Sequence, residues 1–259
     1  MYFYLYDSFL IEPKYRNLIN QIETRLTDLG ISGKAVRLTI LKNATEVIKD
    51  NLKRGIQTVV AIGSDRLFTE SAIALAGTEA VLGFIPIGPS ELAEILGIPL
   101  ADYACDVISG RRIEKIDLGK INNQYFLSSI QIDDSNINLR CDGSYQISPV
   151  SIKTVKIINL DWLNFSSPTS RINLQKKSSN PKDGLLEILS VKKPKITLPF
   201  FKKAERKDSL FYVKKVDIEA NKEKEIFITV DNEKVFKTPA EVEVVPNCLK
   251  VIVGRDRLI

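Results

Sequence analysis

The feature that most constrains the fold is a short strand-like run at residues 58–62, TVVAI, in which no residue is charged. A strand with one face in water usually carries polar or charged side chains on that face. A run without charged side chains is therefore typical of the interior of a sheet that is covered on both faces. A second run of this kind, residues 81–87, follows a short helical segment. Two buried strands separated by a helix are typical of a parallel sheet built from strand–helix–strand units.

The rest of the first 110 residues continues the alternation of strand and helix. Residues 13–29 have helical spacing, with Gly30 just after the end. The residues expected on one apolar face are Leu18, Ile19, Ile22, Leu26 and Leu29. A strand is expected over 36–41, and further helical segments are expected at 45–53, 67–76, 90–96 and 102–109. We therefore predict an N-terminal open α/β, Rossmann-like domain over residues 1–111.

Beyond residue 111 the pattern changes to short strand-like runs separated by turn residues, among them 125–132, 241–245 and 249–253. Asn122-Asn123 and Asp142-Gly143 stand where hairpin turns are expected. This pattern predicts an antiparallel β-sandwich domain over residues 112–259. Its C-terminal strands are expected to return to a cleft between the two domains.

Composition excludes several classes of chemistry. The 259 residues include no histidine, which rules out Ser-His-Asp and Cys-His nucleophile systems and zinc sites that need imidazole. The three cysteines form no CxxC pair, which favours a reducing, intracellular setting. The net charge of +5 is mild and permits contact with phosphates or an acidic membrane surface. No apolar stretch approaches the ~20 residues of a membrane-spanning helix, so a cytoplasmic protein is expected.

The most informative loop follows the first buried strand. Residues 59–70 read VVAIGSDRLFTE, so a strand ends at Gly63 and a helix opens near Asp65. Such a loop presents backbone N–H groups and the positive end of a helix to a phosphate. The same residues also fit a tight turn capped by Ser64 or Asp65, and the spacing alone leaves both interpretations open.

This loop resembles an element of the diacylglycerol and sphingosine-type lipid kinases, Gly-Gly-Asp-Gly-Thr, with Glu three residues later. The positions that match are Gly63, Asp65 and Glu70. The positions that depart are Ser64, Arg66 and Leu67.

The resemblance continues along the chain to the C-terminus. Residues 85–99, IPIGPSELAEILGIP, are similar to the family's Ile-Pro-Leu-Gly-Thr-Gly-Asn-Asp-Phe-Ala-Arg and the Leu-Gly-Ile-Pro that follows, with one residue missing and the Thr-Gly-Asn-Asp core replaced. Residues 183–187, DGLLE, resemble its Asp-Gly-Leu-Leu-Asp, and residues 230–233, VDNE, resemble its Val-Asp-Gly-Glu.

The resemblance implies an ATP-dependent, Mg²⁺-requiring kinase that phosphorylates a lipid hydroxyl. The nucleotide-binding residues it implies are Gly63, Ser64, Asp65, Arg66, Glu70, Gly88 and Ser90. It implies that Asp183 helps to order the metal. It also implies that Asp231 and Glu233 are catalytic, with Asp231 taking the proton of the lipid hydroxyl.

The departures from the family pattern leave two alternatives open. Arg66 adds bulk but brings a guanidinium that can contact phosphate, whereas Leu67 and Pro89 remove donors that threonine would supply. A pseudokinase, binding lipid or nucleotide without turnover, is therefore one alternative. A NAD kinase-like enzyme is the other, since that family shares the Gly-Gly-Asp-Gly-Thr element.

A basic segment, residues 192–207, surrounds an apolar tip with seven Lys or Arg residues. Such a segment suits an anionic membrane surface, with attraction of ~1 kcal/mol per basic residue, although its two phenylalanines also fit packing inside the sandwich. The predicted membrane contacts are Lys192, Lys193, Phe200, Phe201, Lys202 and Lys203. The expected partners are a lipid substrate and the inner face of a membrane. No nucleic-acid motif accompanies the charge, and the sequence is compatible with a homodimer.

Overall fold

The computed structural model describes residues 1–39, 42–148, 152–160, 179–192, 209–221 and 225–259. Within these ranges the chain forms two compact units. The first unit comprises residues 1–116 and 247–259. The second comprises the described residues between 117 and 246.

The first unit alternates strands and helices as the sequence predicts. Its strands are β1 (Tyr2–Tyr6), β2 (Lys34–Arg37), β3 (Thr58–Gly63) and β4 (Val81–Pro86). Its helices are α1 (Arg16–Asp28), α2 (Ala44–Leu52), α3 (Asp65–Leu75), α4 (Glu91–Leu96) and α5 (Ala104–Gly110). Short 3₁₀ turns stand at Ser8–Ile11, Pro13–Tyr15 and Ala101–Tyr103.

The four strands form a parallel sheet in the order β2-β1-β3-β4. Every residue of β3 and β4 is buried, as expected for apolar strands covered on both faces. Near the C-terminus, Lys250 and Val251 extend the sheet by pairing in parallel with Val81 and Leu82. This confirms the predicted open α/β layer.

The strand order places β2 and β3 on opposite sides of β1. The chain therefore leaves β1 in one direction to reach β2 and comes back to the other side to form β3. In open parallel sheets, such a reversal creates a crevice beyond the carboxyl ends of the two central strands, where ligands bind. The residues that follow β1, β2 and β3 are thus the first place to look for a site.

Two element boundaries in this unit differ from the predictions. The helix expected from Pro13 starts at Arg16, because residues 13–15 form a 3₁₀ turn that leads into it. The strand expected over 36–41 is β2, Lys34–Arg37. On the predicted apolar face, Ile19, Ile22 and Leu26 are buried in α1, whereas Leu18 and Leu29 are half-buried.

The second unit is built from antiparallel strands. In chain order they are β5 (Ile113–Ile121), β6 (Gln124–Phe126), β7 (Ser129–Ile132), β8 (Ile137–Cys141), β9 (Tyr145–Ile147), β10 (Ile152–Ile158), β11 (Leu186–Lys192), β12 (Ser209–Val213), β13 (Lys215–Ala220), β14 (Phe227–Val230), β15 (Lys234–Lys237) and β16 (Ala240–Ile252). The strand β5 begins in the first unit, and β16 ends there.

These strands form a sandwich, as predicted. One sheet has the order β12-β11-β10-β7-β14-β15, and the other contains β16, β13, β8 and β9 in that order. A single buried cluster joins their inner faces, with Ile130 and Ile157 from the first sheet and Leu139, Ile218 and Val242 from the second.

Three predicted strands of this half have different limits in the structure. The strand expected over 125–132 is divided into β6 and β7 at residues 127–128. The two strands expected over 241–245 and 249–253 are one strand, β16. Residues 127–128 matter below, because the backbone there binds a carboxylate.

No helix in the described ranges is long and apolar enough to cross a membrane. Of the predicted membrane contacts, Lys192 ends β11. The side chain of Lys192 and the residues Lys193, Phe200, Phe201, Lys202 and Lys203 lie outside what the structure describes.

Candidate functional site

The loop between β3 and α3 has a backbone that requires glycine at its first position. Gly63 has φ +146°, and a Cβ atom added there would lie 2.4 Å from the Cβ of Asp7. Ser64 then caps α3, since its Oγ accepts the N–H of Leu67 at 3.3 Å. The capped-turn interpretation is therefore present in the fold, and the phosphate interpretation has to be judged on what surrounds the loop.

Asp7, which follows β1, lies directly against this loop. Its Oδ2 accepts the hydroxyl of Ser64 at 2.5 Å and the N–H of Ser64 at 3.3 Å. Its Oδ1 accepts the N–H of Ser8 at 2.7 Å. Asp7 is not among the residues predicted from the sequence, although its place as the first polar residue after a parallel strand is a signal for a site residue.

Asp65 connects the loop after β3 to the loop after β4. Its Oδ1 accepts the hydroxyl of Ser90 at 2.5 Å, and the Oγ of Ser90 in turn accepts the N–H of Ala93 at the start of α4. Burial raises the pKa of Asp65, and the hydrogen bonds from Ser90 and from the backbone of Leu92 offset part of that increase. The predicted residues Asp65 and Ser90 are thus brought together.

The remaining predicted residues of this loop have different surroundings. Arg66 is exposed, and its Nε donates to Oε1 of Glu70 at 3.0 Å. Leu67 is buried, with 3% of its surface exposed, so it contributes to the core. Gly88 is exposed and has φ +92°, with open space where a Cβ would stand, so its backbone conformation is what requires glycine.

A cleft of about 340 Å³ opens beside this loop. Its lining comprises Asp7, Ser8, Leu38, Thr39, Lys42, Arg66, Leu67 and Glu70. Because Asp7 follows β1, Leu38 follows β2 and Arg66 stands in the first turn after β3, the cleft lies in the crevice that the strand order creates. Thr39 and Lys42 are further lining residues that sequence reasoning missed.

In the second unit, Asp231 binds three backbone N–H groups. Its Oδ2 accepts from Leu127 at 3.0 Å, and its Oδ1 accepts from Ser128 at 2.7 Å and from Ser129 at 3.2 Å. Burial raises the pKa of Asp231, and these N–H groups offset part of the increase. The carboxylate thus holds the segment that divides β6 from β7.

Asp231 also forms the turn between β14 and β15. Asp231 and Asn232 have φ values of +49° and +57°, and the N–H of Glu233 donates to the carbonyl of Val230 at 3.0 Å. Two consecutive residues with positive φ define a type I′ hairpin turn, in which Asp and Asn are well tolerated. Glu233 itself is exposed.

Asp183, the predicted metal residue, is exposed and organises its own turn. Its Oδ1 accepts the N–H of Leu185 at 3.0 Å. The buried carboxylate nearby is Asp117 of β5, whose Oδ2 accepts the N–H of Gly184 at 2.8 Å. The described ranges contain no group of three or more acidic or cysteine side chains that could hold a metal ion. Asp117 was missed, and its place between the apolar residues Ile116 and Leu118 was the available signal.

Comparison with known proteins identifies the region that supplies most of the cleft lining. Residues 12–121 match the diacylglycerol kinase catalytic domain. This region belongs to that family. The loop at Gly63–Glu70 lies inside the matched region, and the match favours the lipid-kinase branch over a NAD kinase-like enzyme.

Individual relatives agree with this assignment. The chain is 28% identical to the diacylglycerol kinase of Bacillus subtilis over 119 residues, which cover 44% of this chain and 39% of that protein. It is 22% identical to a putative lipid kinase of Streptococcus pneumoniae over 275 residues, covering 93% and 90% of the two chains. The crystal structure of a diacylglycerol kinase from Bacillus anthracis has the same fold, with a TM-score of 0.76, 19% identity and coverage of 98% and 97%.

For a lipid kinase-type loop, the three substitutions have distinct consequences. Ser64 supplies the helix cap and a hydroxyl. Leu67 turns a polar position of the family into a core position. Arg66 adds a cation at the rim of the cleft. Relative to the family element, the loop has its hydroxyl at position 64 instead of position 67 and carries one more positive charge at Arg66, so the groups it offers to a phosphate differ from those of the family.

Proposed function

We propose that this protein is an ATP-dependent lipid kinase that binds the nucleotide phosphates in the cleft beside Gly63–Glu70 and phosphorylates a lipid hydroxyl at a membrane surface. The observation that supports this most is the position of the cleft, which lies beyond the carboxyl ends of β1, β2 and β3 at the reversal of strand order. The N-terminus of α3, an 11-residue helix, starts at this cleft and favours negative charge.

The side chains of the cleft suit a phosphate that carries a metal ion. Lys42 and Arg66 supply two cations, and Asp7 and Glu70 supply two carboxylates. Mg²⁺ in phosphoryl-transfer sites is usually held by one or two carboxylates together with the substrate phosphates, so this donor set fits it. The bound ion would neutralise phosphate charge during transfer. The role of Asp183 as a metal residue stays a prediction.

The proposed reaction transfers the terminal phosphoryl group of ATP. The oxygen of the lipid hydroxyl forms a bond to the γ-phosphorus, the bond from that phosphorus to the ADP oxygen breaks, and the hydroxyl proton passes to a base. Asp231 stays the predicted base. Its carboxylate already accepts three backbone N–H groups, so it would need to take the proton while holding that turn.

The acidic residues already accept hydrogen bonds from the protein itself, which favours a second candidate, a nucleotide-binding module without turnover. Asp231 accepts backbone N–H groups, and Asp65 accepts the hydroxyl of Ser90. Leu67, buried in the core, supplies no hydroxyl to a phosphate. Binding and turnover therefore have to be measured separately.

Calorimetric titration with Mg²⁺-ATP tests the shared part of both candidates. We expect saturable binding that Lys42→Ala and Arg66→Ala each weaken several-fold, because each removes a cation from the cleft. Lys53→Ala is the matched control, since Lys53 is exposed at the end of α2 and pairs with Asp50. Absence of binding at millimolar nucleotide would overturn both candidates.

A second assay distinguishes the kinase from the module without turnover. It measures the transfer of labelled γ-phosphate from ATP to vesicles that contain diacylglycerol and an anionic phospholipid. Label in the lipid fraction supports the kinase. Binding of nucleotide without labelled lipid supports the module without turnover, provided that other lipid alcohols in the same vesicles also stay unlabelled.

A further inference from the structure

The carboxylate of Asp7 is held in place on several sides. Its backbone N–H donates to the carbonyl of Ile62 at 2.9 Å, which continues the pairing of β1 with β3. Its Cβ lies against Gly63, and a Cβ atom added at Gly63 would lie only 2.4 Å from it. Its Oδ1 caps the 3₁₀ turn through the N–H of Ser8. The other oxygen, Oδ2, is thereby directed at Ser64.

The groups that Oδ2 binds are the donors that a phosphate at this loop would need. Ser64 donates its N–H and its hydroxyl to Asp7 at the start of α3, and Asp7 and the nearby Arg66 line the cleft. A helix start with a backbone N–H and a hydroxyl is a common anion-binding arrangement. In this structure the anion at those donors is the protein's own carboxylate.

We propose that Asp7 is a specificity-determining residue of the cleft, which competes with phosphate for the donors of Ser64 and so disfavours phosphate that carries no metal ion. This rests on the proposed function, in which the cleft receives the nucleotide phosphates. A phosphate at the loop meets a negative charge a few Å away, and the two repel each other. A divalent cation between them would remove that repulsion, so the penalty falls on the metal-free anion.

Replacement of Asp7 by asparagine removes the charge and keeps the shape. The amide oxygen of asparagine can still accept the N–H of Ser8, so the 3₁₀ turn keeps its cap. The amide nitrogen faces the donors of Ser64 and can itself donate to a phosphate. We therefore expect Asp7→Asn to bind metal-free phosphate about tenfold more tightly than the wild-type protein.

The experiment is a titration with inorganic pyrophosphate in the presence of a chelator, on the full chain. The matched control is Asp50→Asn, which makes the same charge change on exposed α2 outside the cleft. The expected result is a tenfold lower Kd for Asp7→Asn and no change for Asp50→Asn. A Kd for Asp7→Asn that is equal to or higher than the wild-type value, or no binding at all, overturns the proposal.

A second titration with Mg²⁺-ATP separates this proposal from the proposed function. If Asp7→Asn binds pyrophosphate more tightly but neither protein binds Mg²⁺-ATP, the role of Asp7 stands and the proposed function fails. If the wild-type protein binds Mg²⁺-ATP and Asp7→Asn does not bind pyrophosphate more tightly, the proposed role of Asp7 fails and the proposed function stands.

A folding defect in Asp7→Asn would be seen by circular dichroism. In that case Asp7→Ser takes its place, since serine keeps a capping oxygen for the N–H of Ser8 and also removes the charge. The same tenfold gain and the same overturning result apply to it.

Discussion

The two units hold their carboxylates in different ways. In the first unit, Asp7 and Asp65 accept the hydroxyls of Ser64 and Ser90 in addition to backbone N–H groups. In the second unit, Asp231 and Asp117 accept backbone N–H groups of turns. A hydroxyl can rotate toward a ligand, whereas a backbone N–H in a turn is fixed by the fold. The carboxylates of the first unit are therefore the ones whose partners a ligand can take over.

This difference changes how the surviving acidic motifs are interpreted. Asp183 and Asp231 match acidic positions of the family pattern, which by itself would favour catalysis. Buried backbone N–H groups need acceptors, so a protein without turnover would also keep an aspartate that fills this role. The acidic motifs of the second unit therefore do not distinguish a kinase from a pseudokinase, and the loop at Gly63–Glu70 has to do so.

The largest effect is expected from Asp231→Ala. The substitution leaves three backbone N–H groups without their acceptor and puts alanine at a positive φ, so we expect a loss of about 3 kcal/mol in the free energy of unfolding. Urea denaturation followed by circular dichroism measures it.

Two related variants control this prediction. Asp231→Asn tolerates the positive φ and keeps one acceptor oxygen, so about half of the loss should remain. Asp142→Ala removes an exposed carboxylate that accepts the N–H groups of Lys214 and Lys215 in another turn, and should cost less because water can replace it. Unchanged stability in Asp231→Ala would contradict the structural role and strengthen the general-base hypothesis.

A smaller loss of stability is expected from the hydrogen bond that joins the loop after β3 to the loop after β4 in the first unit. Asp65→Ala should cost about 1 kcal/mol, because it breaks the hydrogen bond between Asp65 and Ser90. Ser90→Ala should cost about 2 kcal/mol, because it breaks the same bond and also removes the cap of α4. A double-mutant cycle measured by urea denaturation should show a coupling energy between the two residues. Strict additivity would mean that the bond contributes nothing to stability.

Much of the first unit could be predicted from its sequence, because apolar runs and helical spacing determine which segments form strands and helices. The apolar runs of β3 and β4 require a sheet covered on both faces, and Gly63 and Asp65 could be placed at the carboxyl end of β3. Asp7 could not be found in this way, because its importance comes from the parallel pairing of β1 with β3, which brings residues 7 and 64 together. Pairing partners are not encoded in local spacing.

The second unit was harder to predict for the same physical reason. A run such as residues 125–132 looks like one strand, since its residues all favour extended backbone. It is divided because Leu127 and Ser128 donate to Asp231, more than 100 positions away. The same contact makes Asp231 an acceptor of backbone N–H groups, which the Val-Asp-Asn-Glu pattern alone does not reveal.

A smaller stability effect is expected from Arg66→Gln. Arg66 is exposed and its ion pair with Glu70 spans one helical turn, so its removal should change the free energy of unfolding by less than about 0.5 kcal/mol. Nucleotide affinity should nevertheless fall several-fold if the guanidinium meets phosphate. Urea denaturation and calorimetry on the same preparation check both. A large stability loss would place Arg66 with the structural residues instead.

The smallest effect concerns pH, and both units share it. Burial raises the pKa of Asp65 and of Asp231 above the ordinary value of 3.8. A carboxyl with a raised pKa binds its proton more tightly in the folded state, so the stability it contributes is complete below pH about 3.8 and is lost as the pH rises through its folded pKa. Carboxyl carbon chemical shifts, followed by NMR from acid to neutral pH, should give both pKa values above 3.8. If only Asp231 shifts, the cleft around Asp65 is better solvated than the second-unit turn, which would widen the contrast between the two sets of carboxylates.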